Sequence, residues 1–398
     1  MYNNLMASSR KKIIFVFVTL FLIVGGIFTG FLIGKSQCKI CPPEDIDFSL
    51  FWEAYHKLQE NFVDKEKFNI QEIIYGAIAG MTKSLGDPYT TFFTPQETKR
   101  FFEDVKGEFE GVGMEIAIKK GNLQVISPLE GTPAKRAGIK AGDEILKVND
   151  TSTIDMTLEE AVNLIRGPKG TEVILTIYRE DWDQPREIKL IRDVITIPTL
   201  KWEIIEGDIA YIKIYQFSEK TTLDFSKAAV DILKSPAKRI ILDLRDNPGG
   251  LLDQVIEVSG WFLERGNVVA IEDRGQEKEQ KFYNSSGPGR LSIYPTVVLI
   301  NQGSASGAEI LAGALKDNRG IMLIGENSFG KGSVQEPLSL RDRSSLKVTV
   351  AQWLTPNGKS IFEVGLEPDV QVEMTEEDYE KGLDPQLNRA IEIIKEIE

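Results

Sequence analysis

The 398-residue chain has a single histidine, His56, only two cysteines, Cys38 and Cys41, and too little positive charge: 47 Lys and Arg face 60 Asp and Glu, a formal charge of −13. Each shortage removes a class of function. One histidine and two cysteines are too few for a structural zinc cage, which takes four such ligands. They also leave little room for a Ser-His-Asp triad, so in an enzyme the base is expected from another side chain. The acidic balance lacks the basic stripe that neutralises phosphates, and nucleic acid is not an expected partner. With 42% hydrophobic and 27% charged residues, the chain reads as globular and long enough for two or three domains.

One uncharged run breaks that balance. Residues 13–34 carry no charge, and at about 1.5 Å per residue such a run covers a hydrocarbon core of about 30 Å. Arg10, Lys11 and Lys12 precede it, which places residues 1–12 in the cytoplasm and the remaining residues outside it, on a single-pass membrane helix. A cleavable signal peptide is the alternative, against the length of the run and the lack of a small-x-small site. In the linker 35–47, Cys38 and Cys41 are followed by Pro42 and Pro43, which reads as a tether rather than a thioredoxin-like redox motif.

Apolar residues then recur at three and four over 48–67 and 70–85, predicting an N-terminal helical region at 48–100 in which His56 is a solvated helix residue. From 107 to 192 short strands alternate with Gly, Pro and Asp turns, predicting a β-rich module. From 193 to 375 strands and helices alternate, the strands as nearly continuous apolar runs at 209–214, 239–244 and 296–300, which predicts an α/β core. Residues 376–398 read as one charged amphipathic helix.

Two turns of the core carry chemistry. In NQGSASGAE, 301–309, a strand runs through small residues into a helix. Ser306 there gains from the positive helix end and from neighbouring N–H groups. Ser306 followed by Glu309 is equally a capping box, the commoner use of that pattern. In GENSFGKGSVQ, 325–335, Lys331 stands between Gly330 and Gly332, open to close approach, and desolvation there would lower its pKa enough for it to act as a base. Gln335 lies four residues on, where its amide could orient that amine.

Together SASGAE, Lys331, Gln335 and the upstream DLRDNPGG resemble the carboxyl-terminal processing peptidases (tail-specific proteases, peptidase family S41), and GVGMEI, SPLEGTPAKRAGIKAGDEILKVND and IRGPKGTEVILTIYR resemble a PDZ domain. The resemblance implies an α/β (α+β mixed) protease core of crotonase-like ββα type with an inserted β-rich PDZ domain, N-terminal helices and a membrane-spanning helix. It implies Ser306 as nucleophile, Lys331 as general base, Gln335 as the residue that positions the lysine, and N–H groups of Gly250 and Gly307 as oxyanion hole, with no metal and no cofactor. In the PDZ domain it implies that Gly111, Val112, Gly113 and Met114 bind a peptide carboxylate and that Arg166 gates the core. The implied partners are proteins or peptides with apolar C-termini, the membrane, and a second copy of the chain, for which Trp52, Tyr55 and Phe62 offer apolar area. The family commonly reads SASAS and DLRGNPGG, so Gly307 and Ala308 depart from it, and Asp246 adds a carboxylate near the oxyanion that Arg245 is placed to compensate. The alternatives are a catalytically silent PDZ scaffold binding protein C-termini and, more remotely, a crotonase-like acyl-CoA enzyme.

Overall fold

A computed structural model describes residues 19–29, 46–119, 121–129, 131–179, 182–196, 198–275 and 279–397. Two compact units are present, Met1–Ile74 and Tyr75–Glu398. Of the expected membrane span, the described residues 19–29 are helical and the rest lies outside the described residues, as do Cys38 and Cys41. No helix among the described residues is long and apolar enough to cross a membrane. The first unit contains the helix Ser49–Asn61, which stops where Phe62 turns extended, and a 3-10 turn at Lys65–Lys67. Phe48, Phe51, Trp52, Tyr55 and Phe68 form a chain of edge-to-face ring contacts along it.

The second unit is built on a six-stranded sheet in the order Leu200–Ile205, Ile209–Ile214, Arg239–Asp243, Thr296–Ile300, Met322–Gly325, Val370–Gln371. Its first pair is antiparallel and the others parallel. All five residues of Thr296–Ile300 are buried, as a parallel strand covered on both faces requires. Helices Thr221–Lys234, Leu252–Phe262 and Gly307–Arg319 cover one face. The helix Pro385–Glu396 covers the other, setting Ala390, Ile393 and Ile394 against Tyr211, Ile241 and Leu299. The C-terminal segment is therefore two helices, Glu376–Lys381 and Pro385–Glu396, rather than one. Gly382 at φ +66 and Pro385 break the run.

A second sheet orders Thr91–Phe93, Ser345–Leu354, Val268–Asp273 and Lys281–Asn284, with Ser333–Ser339 also paired to Ser345–Leu354. Val269, Ala270 and Trp353 of this sheet join the same core as Gly307–Arg319, so that helix is buried between two sheets. The expected helical region 48–100 is corrected here: Thr91–Phe93 is a strand, because its β-branched and aromatic residues find a register opposite Ser345–Lys347.

The β-rich module is an insertion. The helix Pro95–Lys106 starts with the Thr94–Glu97 capping box and ends at left-handed Gly107. The chain then enters by Glu108–Gly111 and leaves by Asp193–Thr196, two strands paired with each other. Between them lies a sheet in the order Met114–Lys119, Asn122–Pro128, Glu144–Val148, Glu172–Tyr178, Arg186–Ile191, closed over its core by the helix Leu158–Ile165. Met114–Lys119 is an edge strand of that sheet.

Candidate active site

At the end of Thr296–Ile300 the chain is pinned to the loop that follows Arg239–Asp243. Asn301 Oδ1 accepts the N–H groups of Asp246 (2.9 Å) and Gly303 (3.0 Å), and Ser304 Oγ donates to Leu244 O at 2.8 Å. Half-buried Ser306 follows with φ +52 and ψ −112, a conformation that L-residues rarely hold without support. Its N–H donates to Glu309 Oε2 at 2.7 Å, so the carboxylate does serve as a cap for the helix Gly307–Arg319, as the sequence pattern allows.

The NPGG turn lies directly against this residue. Asn247 O accepts the Ala305 N–H at 2.9 Å, and Gly249 O and Leu251 N–H bracket Phe217 in a parallel bridge. A Cβ on Gly249 would come within 2.8 Å of Ser306 Cβ, and one on Gly250, at φ +142, within 2.2 Å of Phe217 O. Only glycine fits both places. The bridge uses neither the Gly250 N–H nor the Gly307 N–H, which belongs to the unpaired first turn of a helix. Two donors therefore stand free beside Ser306 among the described residues, with Gly250 N 3.4 Å from where a Gly307 Cβ would sit. Val255 Cγ2, 2.9 Å from that same point, takes up the space an alanine methyl would need at position 307. Gly250→Ala is expected to displace its donor and lower kcat about 10²- to 10³-fold with a smaller change in KM, measured by steady-state cleavage.

One expectation is corrected at this loop. Arg245 turns away from Asp246 to Asp243 and Asp384. Asp246 is instead held by Asn301 Nδ2 at 2.8 Å, with Lys213 Nζ 4.0 Å from its second oxygen.

Lys331 lies beyond the strand Met322–Gly325. Its flanking glycines serve backbone packing rather than access to the amine: a Cβ on Gly332 would lie 2.2 Å from Phe362 N, and one on Gly330 3.1 Å from Glu363 C. Burial lowers the pKa of the amine, and the negative charge of Glu309 works against that shift. The Lys331 N–H donates at 3.0 Å to Glu309 Oε2, the oxygen that accepts from Ser306. The two backbone nitrogens can thus be no farther apart than two hydrogen bonds reach.

The Gln335 amide donates to Ser333 Oγ and O, and no hydrogen bond joins it to Lys331 among the described residues. A residue that sequence reasoning passed over stands nearby. Burial lowers the pKa of Lys347, the charge of Lys331 lowers it further, and its Nζ sits 5.3 Å from the Phe93 ring centroid. Its only sequence signal is a place in the alternating strand Ser345–Leu354.

In the inserted module, Gly111 pairs with Asp193, Val112 O accepts from Ala134 N–H, and Gly113 O accepts from Thr132 Oγ at 2.8 Å. Gly113 has φ +76, and a Cβ there would lie 2.4 Å from Thr132 Cβ, so this turn too needs glycine. Met114 opens the edge strand. Arg166, which ends the helix Leu158–Ile165, stacks 4.3 Å from the Phe109 ring and bonds Asp104 at 3.2 Å. It faces the entry strand and the helix Pro95–Lys106, not the Ser306 turn.

Known proteins are similar to this chain in sequence and fold. The sequence pattern of Peptidase family S41 matches residues 208–372, and that of the PDZ domain matches 102–178. The carboxy-terminal processing protease CtpA of Bacillus subtilis (strain 168) is 38% identical over 94% of this chain and 79% of its own length. A carboxy-terminal-processing protease of Bartonella bacilliformis is 42% identical over 80% of this chain and 74% of its own. The solved photosystem II D1 C-terminal processing protease superposes with a TM-score of 0.52 at 29% identity, over 81% of this chain and 92% of that one. With relatives this similar along most of both chains, and with a serine at a strained helix entrance beside two free N–H donors, the chain belongs to peptidase family S41 as a C-terminal processing serine protease with a PDZ domain.

Proposed function

We propose that the chain is a membrane-anchored Ser-Lys endopeptidase that cleaves extracytoplasmic proteins chosen by their C-terminal tails. The observation that carries the reading is the shared oxygen: Ser306 N–H and Lys331 N–H both donate to Glu309 Oε2, with the Gly250 and Gly307 N–H groups free alongside. Neutral Lys331 takes the proton of Ser306 Oγ as that oxygen attacks the peptide carbonyl, and the two glycine N–H groups receive the developing oxyanion. The lysine then protonates the leaving amine, and water brought in with its help releases the acyl group.

Tail selection rests on the PDZ domain. The edge strand Met114–Lys119 has a free side on which an extended peptide can add, while N–H groups of the Gly111–Met114 turn take its carboxylate. Arg166, bridging that domain to Asp104 and Phe109, passes occupancy on to the core. The uncharged run at 13–34 behind Arg10, Lys11 and Lys12 anchors the protein, with its body outside the cytoplasm.

The test uses the full chain in detergent and two unfolded reporters that differ only in the last three residues, apolar or acidic. The apolar tail is expected to be cleaved with kcat/KM at least about 10-fold higher. Ser306→Ala is expected to cleave neither, and Arg166→Ala to lose the tail preference. Equal rates on both tails would remove the selection, and cleavage by Ser306→Ala would remove the nucleophile.

A further inference from the structure

We propose that Glu309 is a positioning residue of the cleavage reaction, its buried carboxylate holding the Ser306 turn and the Lys331 loop in one register. The proposal rests on the Ser306–Lys331 reading above and adds to it a third residue, one that acts on both of the others.

The chain contains its own comparison. Thr94–Glu97 and Thr157–Glu160 are capping boxes whose glutamates, among the described residues, bond only their own helix starts, and Glu160 is exposed. Glu309 occupies the same position in its helix but is fully buried, at 0% exposure. Both of its oxygens are used, and mostly outside the helix. Oε2 accepts from Ser306 N–H (2.7 Å) and Lys331 N–H (3.0 Å), and Oε1 from Ser328 Oγ (2.6 Å) and Gly330 N–H (2.7 Å). No cation stands within ion-pair distance of it among the described residues. A buried carboxylate without an ion pair is costly unless donors satisfy it, and here four donors come from two separate segments. A cap needs one of them. The other three fix residues 328–331, which Phe329 N–H also ties to Ser304 O at 2.9 Å.

The geometry has two consequences for the reaction. Capture of the Ser306 N–H helps hold that residue at φ +52, so the hydroxyl is aimed by the same carboxylate that places the base loop. The negative charge also favours the proton on Lys331, against the effect of burial.

Glu309→Gln keeps the size, removes the charge and sets an NH2 group against N–H donors. In the full chain it is expected to lower kcat about 10- to 100-fold with KM changed less than roughly two-fold. It is also expected to move the acidic limb of the kcat/KM profile to lower pH, a shift that loosened packing alone would not produce. Glu309→Asp keeps the charge and loses the reach, so its kcat should fall while the limb stays. If Glu309→Gln does not fold, Ser328→Ala, which removes one of the four donors, decides the matter with an expected loss of about 3- to 10-fold in kcat. Wild-type kcat and an unmoved limb in a folded Glu309→Gln, or wild-type kcat in Ser328→Ala, would overturn the proposal. Ser306→Ala and Lys331→Ala run alongside: if they are inactive while Glu309→Gln is normal, only Glu309 loses its role, whereas active Ser306→Ala or Lys331→Ala would overturn the Ser-Lys reading itself.

Discussion

Lys331→Ala is expected to lower kcat for tail-directed cleavage about 10⁴-fold, or about 5 kcal/mol of transition-state stabilisation, with KM little changed. The size follows from the lack of a substitute. His56, the only histidine, sits exposed on a helix of the first unit, and Glu309 already accepts four hydrogen bonds. Among the described residues, Lys347 is held over Phe93 and Phe101, and Lys213 stands 4.0 Å from Asp246 rather than at Ser306. Because burial lowers the Lys331 pKa, kcat/KM should rise along an acidic limb below the range of an ordinary lysine. The sign for stability runs the same way. Between the lowered folded pKa and the usual lysine value the unfolded chain binds more protons, so stability increases with pH across that window. Lys331→Met should remove this slope and raise Tm at neutral pH while abolishing activity. Calorimetry at several pH values, beside cleavage kinetics, checks both, and a Lys331→Ala variant within 10-fold of wild type would rule the lysine out as base.

Arg245→Met is expected to cost about 3–5 kcal/mol of stability, a fall in Tm of roughly 10 °C, because it strips the cation from a buried network. Arg245 has a side-chain exposure of 8% and Asp243 of 0%. The guanidinium bonds both oxygens of Asp243, both oxygens of Asp384 and Gln386 Oε1, and Tyr211 donates to Asp243 Oδ2 at 2.6 Å. Burial alone would lower the arginine pKa, but the two carboxylates raise it above its ordinary value. Burial acts to raise the Asp384 pKa, and its bonds to Arg245 and Leu387 N–H leave it below the usual range. The stability this contributes is present above the ordinary aspartate pKa and lost as pH falls through the folded one. Asp384 also starts the helix Pro385–Glu396 by accepting from Leu387 N–H. Arg245 therefore fastens that helix to the strand end from which the Asn247–Gly250 turn departs, and kcat should fall along with Tm. An Arg245→Met, Asp384→Asn cycle followed by chemical denaturation should give a coupling of about 1–3 kcal/mol, and additive effects would separate the two residues.

Parts of this molecule were legible in the linear chain for local reasons. Strands buried on both faces leave continuous apolar runs, so Ile209–Ile214, Arg239–Asp243 and Thr296–Ile300 declare themselves. The Gly249–Gly250 and Ser306–Gly307 turns are visible because only small residues permit such close approach of backbones, and the resemblance of SASGAE to a peptidase motif followed from them. Elsewhere the pattern was weaker than the structure. Ser333–Ser339 and Ser345–Leu354 are half-exposed strands whose pairing is set across a hairpin and against Thr91–Phe93, and no local period announces such a partner.

What the sequence by itself determined is the inventory of chemistry: an acidic chain with one histidine, a serine at a helix entrance, a lysine between glycines, and a glycine-rich turn to face them. The tertiary structure decided which of these groups meet. It sent Arg245 to Asp384 instead of Asp246, gave the Gln335 amide to Ser333, and put Glu309 between two loops where its helix position alone predicted a capping box. The physical reason is that hydrogen-bond partners in a buried site come from segments far apart in the chain, and their approach is set by sheet register and helix docking, which no local spacing encodes.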